Sequence, residues 1–348
     1  MKILISALEP SSNLHLKEIL KHTKEIELLG IFDKNLGDPL YDISQMAIMG
    51  ISDALKKIRW FLKVADEMVN LAKEADKILL MDSSGFNLPL AKKLKKAYPD
   101  KEIIYYILPQ VWASRPKRVQ KLEKYCDRLL GILPFEIDYY QTKAEYIGHP
   151  LLDEINISTN TSQTKNCIAF LAGSRKSEIE RLMPLFLEVQ KKLGDSIHPL
   201  LVIPPSFNQK TIDTIYQGYE AFEIVRDTHQ ALQRAEFAFI CSGTATLESA
   251  LIGTPFTLVY IAKKIDFFIG TKILGIKQVG LANIILTHYN HTTLHHELLQ
   301  ENVTVENLLD EYKNHNIKYF KKKALELREY LKFGSSQNVA KILMEKKC

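Results

Sequence analysis

Short runs of apolar and β-branched residues recur along this sequence, with a helix-length stretch between most of them. Ile3 to Ala7, Leu28 to Phe32, Lys77 to Met81, Ile103 to Leu108, Arg128 to Leu133 and Glu145 to Ile147 have the length and composition of strands. Continuous apolar runs of this kind are buried on both faces, and strand–helix–strand succession makes them parallel. The polar stretch Asn156 to Gln163 then breaks the pattern and reads as a linker. The alternation resumes with Cys167 to Leu171, Leu200 to Ile203, Glu223 to Val225, Phe237 to Ile240 and Phe256 to Ile261. A chain of 348 residues is also too long for one core of ordinary size. The expected fold is therefore α/β, with two doubly wound parallel-sheet domains, 1–160 and 161–330, and a C-terminal segment, 331–348. Ligands of such sheets bind outside the carboxyl ends of the strands, so the domains are expected to face a shared cleft. Helices are expected beyond Val303, the last over Ser336 to Lys346.

Several stretches at strand ends can carry chemistry. Cys241 to Glu248 lies between the run Phe237 to Ile240 and a helix that Gly253 and Pro255 stop. The first amides of such a helix are unpaired, and its dipole favours an anion. Ser242, Gly243, Thr244, Ala245 and Thr246 are small enough to admit a phosphate and offer three hydroxyls. Glu248 follows one turn on, where a carboxylate can take two ribose hydroxyls. An ordinary capped helix with Glu248 easing its dipole is the alternative, although Glu248 does not fall three residues after Thr244 as a capping box requires.

Gly173-Ser174-Arg175 is the second candidate. Ser177 and Glu180 read as a capping box for a helix with apolar positions at Ile179, Leu182, Met183, Phe186 and Val189. That leaves Gly173, Ser174 and Arg175 in the loop, where a guanidinium suits a diphosphate. A surface arginine in a plain loop fits the same residues. In the first half, Asp82 ends the strand Lys77 to Met81. It is placed either as a general base, as a cap for a helix over Leu88 to Ala97, or as the residue that closes an Asx turn.

The stretch from Ile48-Met49-Gly50-Ile51-Ser52 to about Glu74 reads as a long helix. Leu55, Ile58, Leu62, Ala65, Val69 and Ala72 form its expected core stripe. Trp60, Phe61, Val64 and Met68 lie outside that stripe, flanked by Lys56, Lys57, Arg59 and Lys63. Such a face suits a membrane interface or a packed partner. A net charge of +5 fits an anionic surface. No apolar run reaches the roughly 18 residues of a membrane span, and Met1 to Ala7 is too short for a signal peptide. The four cysteines form no CxxC pair and suit a reducing compartment, so a cytoplasmic location is expected. Lys321-Lys322-Lys323 reads as a solvated helix face, and no nucleic-acid partner is expected. His288, His291, His295 and His296 lack a metal-site spacing, and no Asp-x-Asp occurs. No metal or other cofactor is therefore expected, with Arg175 and a helix N-terminus neutralising the diphosphate instead.

Together these stretches resemble the lipid-A-disaccharide synthases, glycosyltransferases of the two-domain GT-B type. The resemblance runs in order through Met49-Gly50, Asp82 with Phe86-Asn87, Tyr105-Tyr106 through Pro109, Val111-Trp112-Ala113 and Lys117-Arg118-Val119. It continues through Leu133-Pro134-Phe135-Glu136, Gly148-His149-Pro150, Gly173-Ser174-Arg175 with Glu178, Ser242 to Ala245 with Leu247-Glu248, and Leu281 to Asn283. It implies transfer of 2,3-diacylglucosamine from its UDP derivative to the 6-hydroxyl of 2,3-diacylglucosamine 1-phosphate, giving a β-1,6-linked disaccharide phosphate and UDP. It implies Asp82 as the base, and Arg175, the turn from Ser242 to Glu248 and Asn283 around UDP. Glu9, Ser11 and Asn87 fall on the acceptor side. The resemblance further implies attachment to the anionic inner face of the cytoplasmic membrane, for which Trp60, Phe61, Lys57 and Lys63 are the expected face. It also implies a C-terminal helix crossing back to the first domain.

Three stretches depart from the family pattern. The first loop, usually Gly-Glu-x-Ser-Gly-Asp, is Leu8-Glu9-Pro10-Ser11-Ser12-Asn13; an aspartate is replaced by Gly85 and a tryptophan by Ser114. All three lie in the acceptor half. Two other readings accommodate the same fold: a hydrolysing UDP-N-acetylglucosamine 2-epimerase, and a non-catalytic membrane-associated nucleotide-binding protein.

Overall fold

The computed structural model describes residues 1–44, 54–155, 164–262 and 278–345, with side chains from residue 58 in the helix that starts at Ala54. The expected linker Asn156 to Gln163, the Met49-Gly50 pair, the Lys57 side chain and the last residues of the terminal helix lie outside the described residues. The chain divides into two compact units, Met1–Glu154 with Leu331–Cys348, and Ile155–Tyr330.

The first unit holds a seven-stranded sheet in the order β3-β2-β1-β4-β5-β6-β7. Its strands are β1 Lys2–Ala7, β2 Glu27–Phe32, β3 Tyr41–Asp42, β4 Lys77–Met81, β5 Glu102–Tyr106, β6 Arg128–Gly131 and β7 Ala144–Tyr146. Every pairing is parallel. Alternate residues of each strand serve opposite faces. On one face Leu4, Ile78, Leu80, Ile103 and Tyr105 pack with Val64 and Met68 of the Ala54–Leu71 helix and with Leu90 and Leu94 of the Ser84–Ala97 helix. On the other face Ile3, Ile5, Leu79, Ile104 and Tyr106 pack with Leu16 and Ile19 of the Pro10–Leu20 helix and with Val339, Ala340 and Leu343 of the C-terminal helix Ser335–Met344. That last helix is also held at its C-terminal end: buried Lys77 donates from Nζ to Ile342 O at 2.9 Å and pairs with Glu102 at 2.9 Å.

The second unit holds a six-stranded sheet in the order β10-β9-β8-β11-β12-β13, again all parallel. Here β8 is Cys167–Leu171, β9 His198–Val202, β10 Glu223–Val225, β11 Phe237–Cys241, β12 Phe256–Tyr260 and β13 Glu297–Leu299. Ile179, Leu182, Met183, Phe186 and Val189 of the Lys176–Leu193 helix are all buried on this sheet, as their spacing predicts. Cys126, Cys167 and Cys241 are free and buried. Among the described residues no helix is long and apolar enough to cross a membrane.

Two local expectations are corrected. The expected capping box of Ser177 and Glu180 does not form. The helix starts at Lys176 with Arg175 as its N-cap, because the Glu178 carboxylate accepts the Arg175 N–H at 3.3 Å. In the Ala54–Leu71 helix the two apolar faces are exchanged in part. Val64 and Met68 are fully buried, while Ile58 and Leu62 of the expected core stripe are 57% and 51% exposed. Trp60 and Phe61 are half-buried, edge-on to Tyr41 at 5.6 Å and tilted against Phe86 at 5.6 Å respectively. Both faces of this helix are apolar, so periodicity alone does not choose between them; the aromatic neighbours do.

Candidate active site

In each sheet the numbering of adjacent strands turns over once, between β1 and β4 in the first and between β8 and β11 in the second. Connections on either side of such a point leave for opposite faces, and a crevice opens outside the carboxyl ends. The loops singled out in the sequence leave their sheets at these two points.

In the first unit, Ala7 of β1 pairs with Met81 of β4, so the chain leaves both strands at one level. Ser83 Oγ donates to Glu9 Oε1 at 3.2 Å and joins the two loops. Asp82 and Ser83 have φ of 48° and 38°. This left-handed region costs a residue with a side chain about 1–2 kcal/mol, and two in succession need external support. Asn87 supplies much of it. Its Nδ2 donates to Met81 O at 2.9 Å and Asp82 O at 3.0 Å, and its Oδ1 accepts Ser6 Oγ at 2.6 Å. The Asp82 N–H donates to Tyr106 O at 3.0 Å, and the Tyr105 hydroxyl donates to Asp82 O. Asn87, expected on the acceptor side, is thus fully buried and acts as a brace for the loop. Asp82 is not the helix cap; the helix starts at Ser84, and its N-cap is Ser83. Burial raises the Asp82 carboxyl above its ordinary value. The Ser83 N–H opposes that shift, nearby Glu9 adds to it and His15 opposes it.

A cavity of about 680 Å³ lies against this carboxyl, lined on its apolar side by Leu8, Ile58, Phe61, Leu62, Phe86 and Pro89, and by Glu9 and Lys93. Ser11 is exposed on the first turn of its helix and is not among the lining residues. Asn13, where the family pattern has aspartate, is buried. Its Nδ2 donates to Ala7 O and Glu9 O, both at 2.9 Å, and its Oδ1 accepts Asp33 N–H at 2.7 Å. An ionised aspartate has no donor for the first two bonds. Glu136 of the Leu-Pro-Phe-Glu run is buried as well. It accepts Ile132 N–H at 2.7 Å and Leu133 N–H at 2.9 Å, and burial pushes its carboxyl up to about 7.

In the second unit, Gly173 has φ +96°, and a Cβ there would lie 2.7 Å from Glu178 Oε2. A glycine therefore lets the loop close over Glu178. Ser174 and Arg175 are exposed, with Arg175 Nη1 3.0 Å from Glu178 Oε1. After β11, Gly243 has φ +137° and forms the N-cap of the Thr244–Ile252 helix without any side-chain cap bond. The first amides of that helix have no side-chain cap, and Ser242 and Thr244 stand partly or fully exposed beside them, with Ala245 half-buried. Thr246 differs from expectation: it is fully buried, and its hydroxyl donates back to Gly243 O at 2.7 Å. Glu248 Oε2 lies 3.5 Å from His229 Nε2. Asn283 also differs. It is 2% exposed, with Nδ2 donating to His295 O and Glu297 Oε1 and Oδ1 accepting the N–H groups of Leu294 and His295. Its hydrogen-bonding groups are used within the fold.

Among the described residues, no three histidine, cysteine, aspartate or glutamate side chains converge as a metal site. His229 and the apolar side of the cavity wall were not assigned to the site from the sequence, whereas Glu9 and Asp82 were. His229 stands on the first turn of the Thr228–Arg234 helix that follows β10, at the carboxyl end of the sheet, which was a usable signal. Ile58 comes from one helix and Phe86 and Pro89 from another, and no local pattern joins the two.

A family model described as Lipid-A-disaccharide synthetase matches residues 3–346. The lipid-A-disaccharide synthase of Helicobacter pylori strain J99 is 47% identical, over 97% of this chain and 96% of that one. Among solved structures, the chain is similar to the UDP-GlcNAc 2-epimerase of Neisseria meningitidis bound to UDP-GlcNAc, with a TM-score of 0.63 at 11% identity over 99% and 100% of the two chains. It is also similar to MurG of Acinetobacter baumannii, with a TM-score of 0.58 at 14% identity over 98% of each. At such identities the two structures speak to the fold alone.

Proposed function

The chain belongs to the lipid-A-disaccharide synthase family, and on that premise we propose how its residues divide the work of the transfer. It is a UDP-sugar glycosyltransferase of the GT-B fold that acts in lipid A biosynthesis. It moves 2,3-diacylglucosamine from UDP to 2,3-diacylglucosamine 1-phosphate. The epimerase reading rests on fold likeness only, whereas the family relation is one of sequence over nearly the whole chain.

In our reading Asp82 takes the proton of the acceptor's 6-hydroxyl as that oxygen bonds to C1 of the donor sugar. The bond from C1 to the diphosphate breaks, its electrons leave with UDP, and the anomeric centre inverts. The observation that carries this role is the braced, left-handed Asp82 loop beside an apolar cavity. Strain of this kind persists where surrounding structure over-determines it, and it clusters at active sites. The cavity is assigned to an acyl chain of the acceptor. Gly173, Ser174 and Arg175, with Ser242 to Ala245 at the open helix end, are assigned to the diphosphate. Glu248, steadied by His229, is assigned to the ribose, and Asn283 and Thr246 to the frame behind it. The protein is to be incubated with UDP-diacylglucosamine and diacylglucosamine 1-phosphate and the products weighed by mass spectrometry. Disaccharide phosphate with equimolar UDP is expected, and UDP release without disaccharide would overturn the assignment.

The leaving diphosphate is assigned to Arg175 and the helix end because the sequence lacks the Asp-x-Asp often used to clamp a divalent ion. Activity is therefore expected to survive EDTA. A complete loss that magnesium or manganese restores would contradict it.

Peripheral attachment to an anionic membrane face is assigned to the exposed side of the Ala54–Leu71 helix. Ile58 and Leu62 supply apolar area there, with exposed Arg59 and Lys63 beside them. Replacing Ile58 and Leu62 with serine is expected to release the protein from anionic liposomes while its melting temperature stays within a few degrees. Trp60→Ser, which removes a packed ring, is expected to lower melting more than it lowers binding. The opposite ranking would return the membrane role to Trp60.

A further inference from the structure

Donor and acceptor carry the same diacylated glucosamine and differ only at the anomeric carbon, which bears UDP in one and a phosphate monoester in the other. A site that selects the acceptor needs a group addressed to that phosphate. The cavity beside Asp82 is walled by apolar side chains and by two carboxylates, Glu9 and Asp82. Both carboxylates repel a phosphate, and the repulsion falls with distance. The phosphate therefore belongs at the end of the cavity away from Asp82, and the hydroxyl to be deprotonated belongs at the near end.

Among the described residues, Lys93 is the one cation lining that cavity. It stands on the helix that starts at Ser84, nine residues further on, which is about 13 Å along the axis. A second recess of about 340 Å³, lined by Asp66, Val69, Lys93, Lys96 and Ala97, adjoins the same lysine. Lys93 Nζ is 2.5 Å from Asp66 Oδ1, with side chains 35% and 66% exposed. An ion pair this exposed contributes little and is easily exchanged for a stronger anion.

We propose that Lys93 is the residue that reads the acceptor's anomeric phosphate, and that Asp66 holds its ammonium in place until the phosphate displaces it. The inference rests on the assignment of this cavity to the acceptor. It gives the acceptor a direction, with the hydroxyl at Asp82, the phosphate at Lys93 and an acyl chain along Ile58, Phe61, Leu62 and Phe86.

The test is a cycle of one variant against one altered substrate. Initial rates are measured for wild type and Lys93→Met, each with diacylglucosamine 1-phosphate and with the methyl glycoside of diacylglucosamine, which lacks the phosphate. Lys93→Met is expected to raise the acceptor KM about ten- to hundredfold, the usual effect of losing a hydrogen bond to a charged group. Saturated turnover and donor KM should hardly move, and Lys93→Arg should recover most of the loss. Removing the phosphate should raise KM by a similar factor in wild type and have little effect in Lys93→Met. Equal penalties for phosphate removal in both proteins would overturn the assignment. Asp82→Asn is run alongside: if it is inactive, equal penalties count against Lys93 alone, and if it is fully active, the acceptor reading itself has failed.

Discussion

Replacing Asp82 by asparagine is expected to lower turnover by about 10²- to 10⁴-fold, the usual loss when a general base is removed, with little change in either KM. A primary hydroxyl is scarcely ionised at neutral pH, so its attack needs a proton acceptor within reach. Burial raises the Asp82 carboxyl above its ordinary value, and Glu9 adds to the effect against the Ser83 N–H and His15. A higher proton affinity makes it a better acceptor. Asparagine keeps the shape and the side-chain oxygen that accepts the Ser83 N–H, and it loses only the basicity. The acid limb of the pH–rate profile is therefore expected at a higher pH than an ordinary aspartate would give in wild type, and absent from the residual activity of the variant.

Stability supplies an independent check on the same residue. The folded-state value of Asp82 lies above its unfolded one, so between the two the folded chain binds more protons. Stability then falls as pH rises through that window, and the charged form opposes folding at neutral pH. Asp82→Asn should melt no lower than wild type at pH 7, and its advantage should shrink as pH falls from the raised folded-state value toward the ordinary one, below which it is gone. An Asp82 that serves only the loop predicts the reverse on both counts: near-normal activity in Asp82→Asn, and stability rather than turnover lost in Asp82→Ala. Turnover and melting curves for both variants decide between them, and an active Asp82→Asn protein would sink the assignment.

The sheets were legible because strands buried on both faces announce themselves as unbroken apolar runs, as in Lys77 to Met81 and Phe237 to Cys241. The edge strands Tyr41–Asp42 and Glu297–Leu299 were not, being too short to show a period. The loops at the two crossover points were legible for a topological reason, since strand order alone places Leu8, Asp82, Gly173 and Ser242 at carboxyl ends. Individual side chains were harder. Asn87, Thr246 and Asn283 are polar residues in the right loops, yet each turns inward and bonds to backbone. Spacing cannot say whether a polar side chain meets a ligand or its own main chain, because both needs select the same residue types. The exchange of Ile58 and Leu62 for Trp60 and Phe61 has a similar origin. A helix apolar on two sides leaves the choice to whatever packs against it, and here Tyr41 and Phe86 do so.

Arg175→Ala is expected to lower kcat/KM for the UDP-sugar about ten- to hundredfold, from the loss of a charge-assisted hydrogen bond of about 1.5–3 kcal/mol. The surroundings of Arg175 make that figure a lower bound. Its guanidinium is three-quarters exposed and pairs with Glu178, whose carboxylate is nearly buried. Glu178 cannot readily move away, because its second oxygen accepts the Arg175 N–H and lies beneath Gly173. In the alanine variant that carboxylate stays, unbalanced, beside the loop assigned to the diphosphate. The variant thus loses an attraction and leaves a repulsion exposed. Arg175→Ala combined with Glu178→Gln should recover part of the affinity for UDP, a coupling between neighbours that independent sites would not show. Arg175→Lys should fall between, since it restores the charge but not the planar fork. Donor KM, inhibition by UDP and saturated turnover are to be measured for all three. If UDP binding and turnover in Arg175→Ala both stay near wild type, Arg175 does not hold the diphosphate. If they fall but the double variant gains nothing over the single one, Glu178 acts only as the cap of its helix, and the expected loss returns to the value of the hydrogen bond alone.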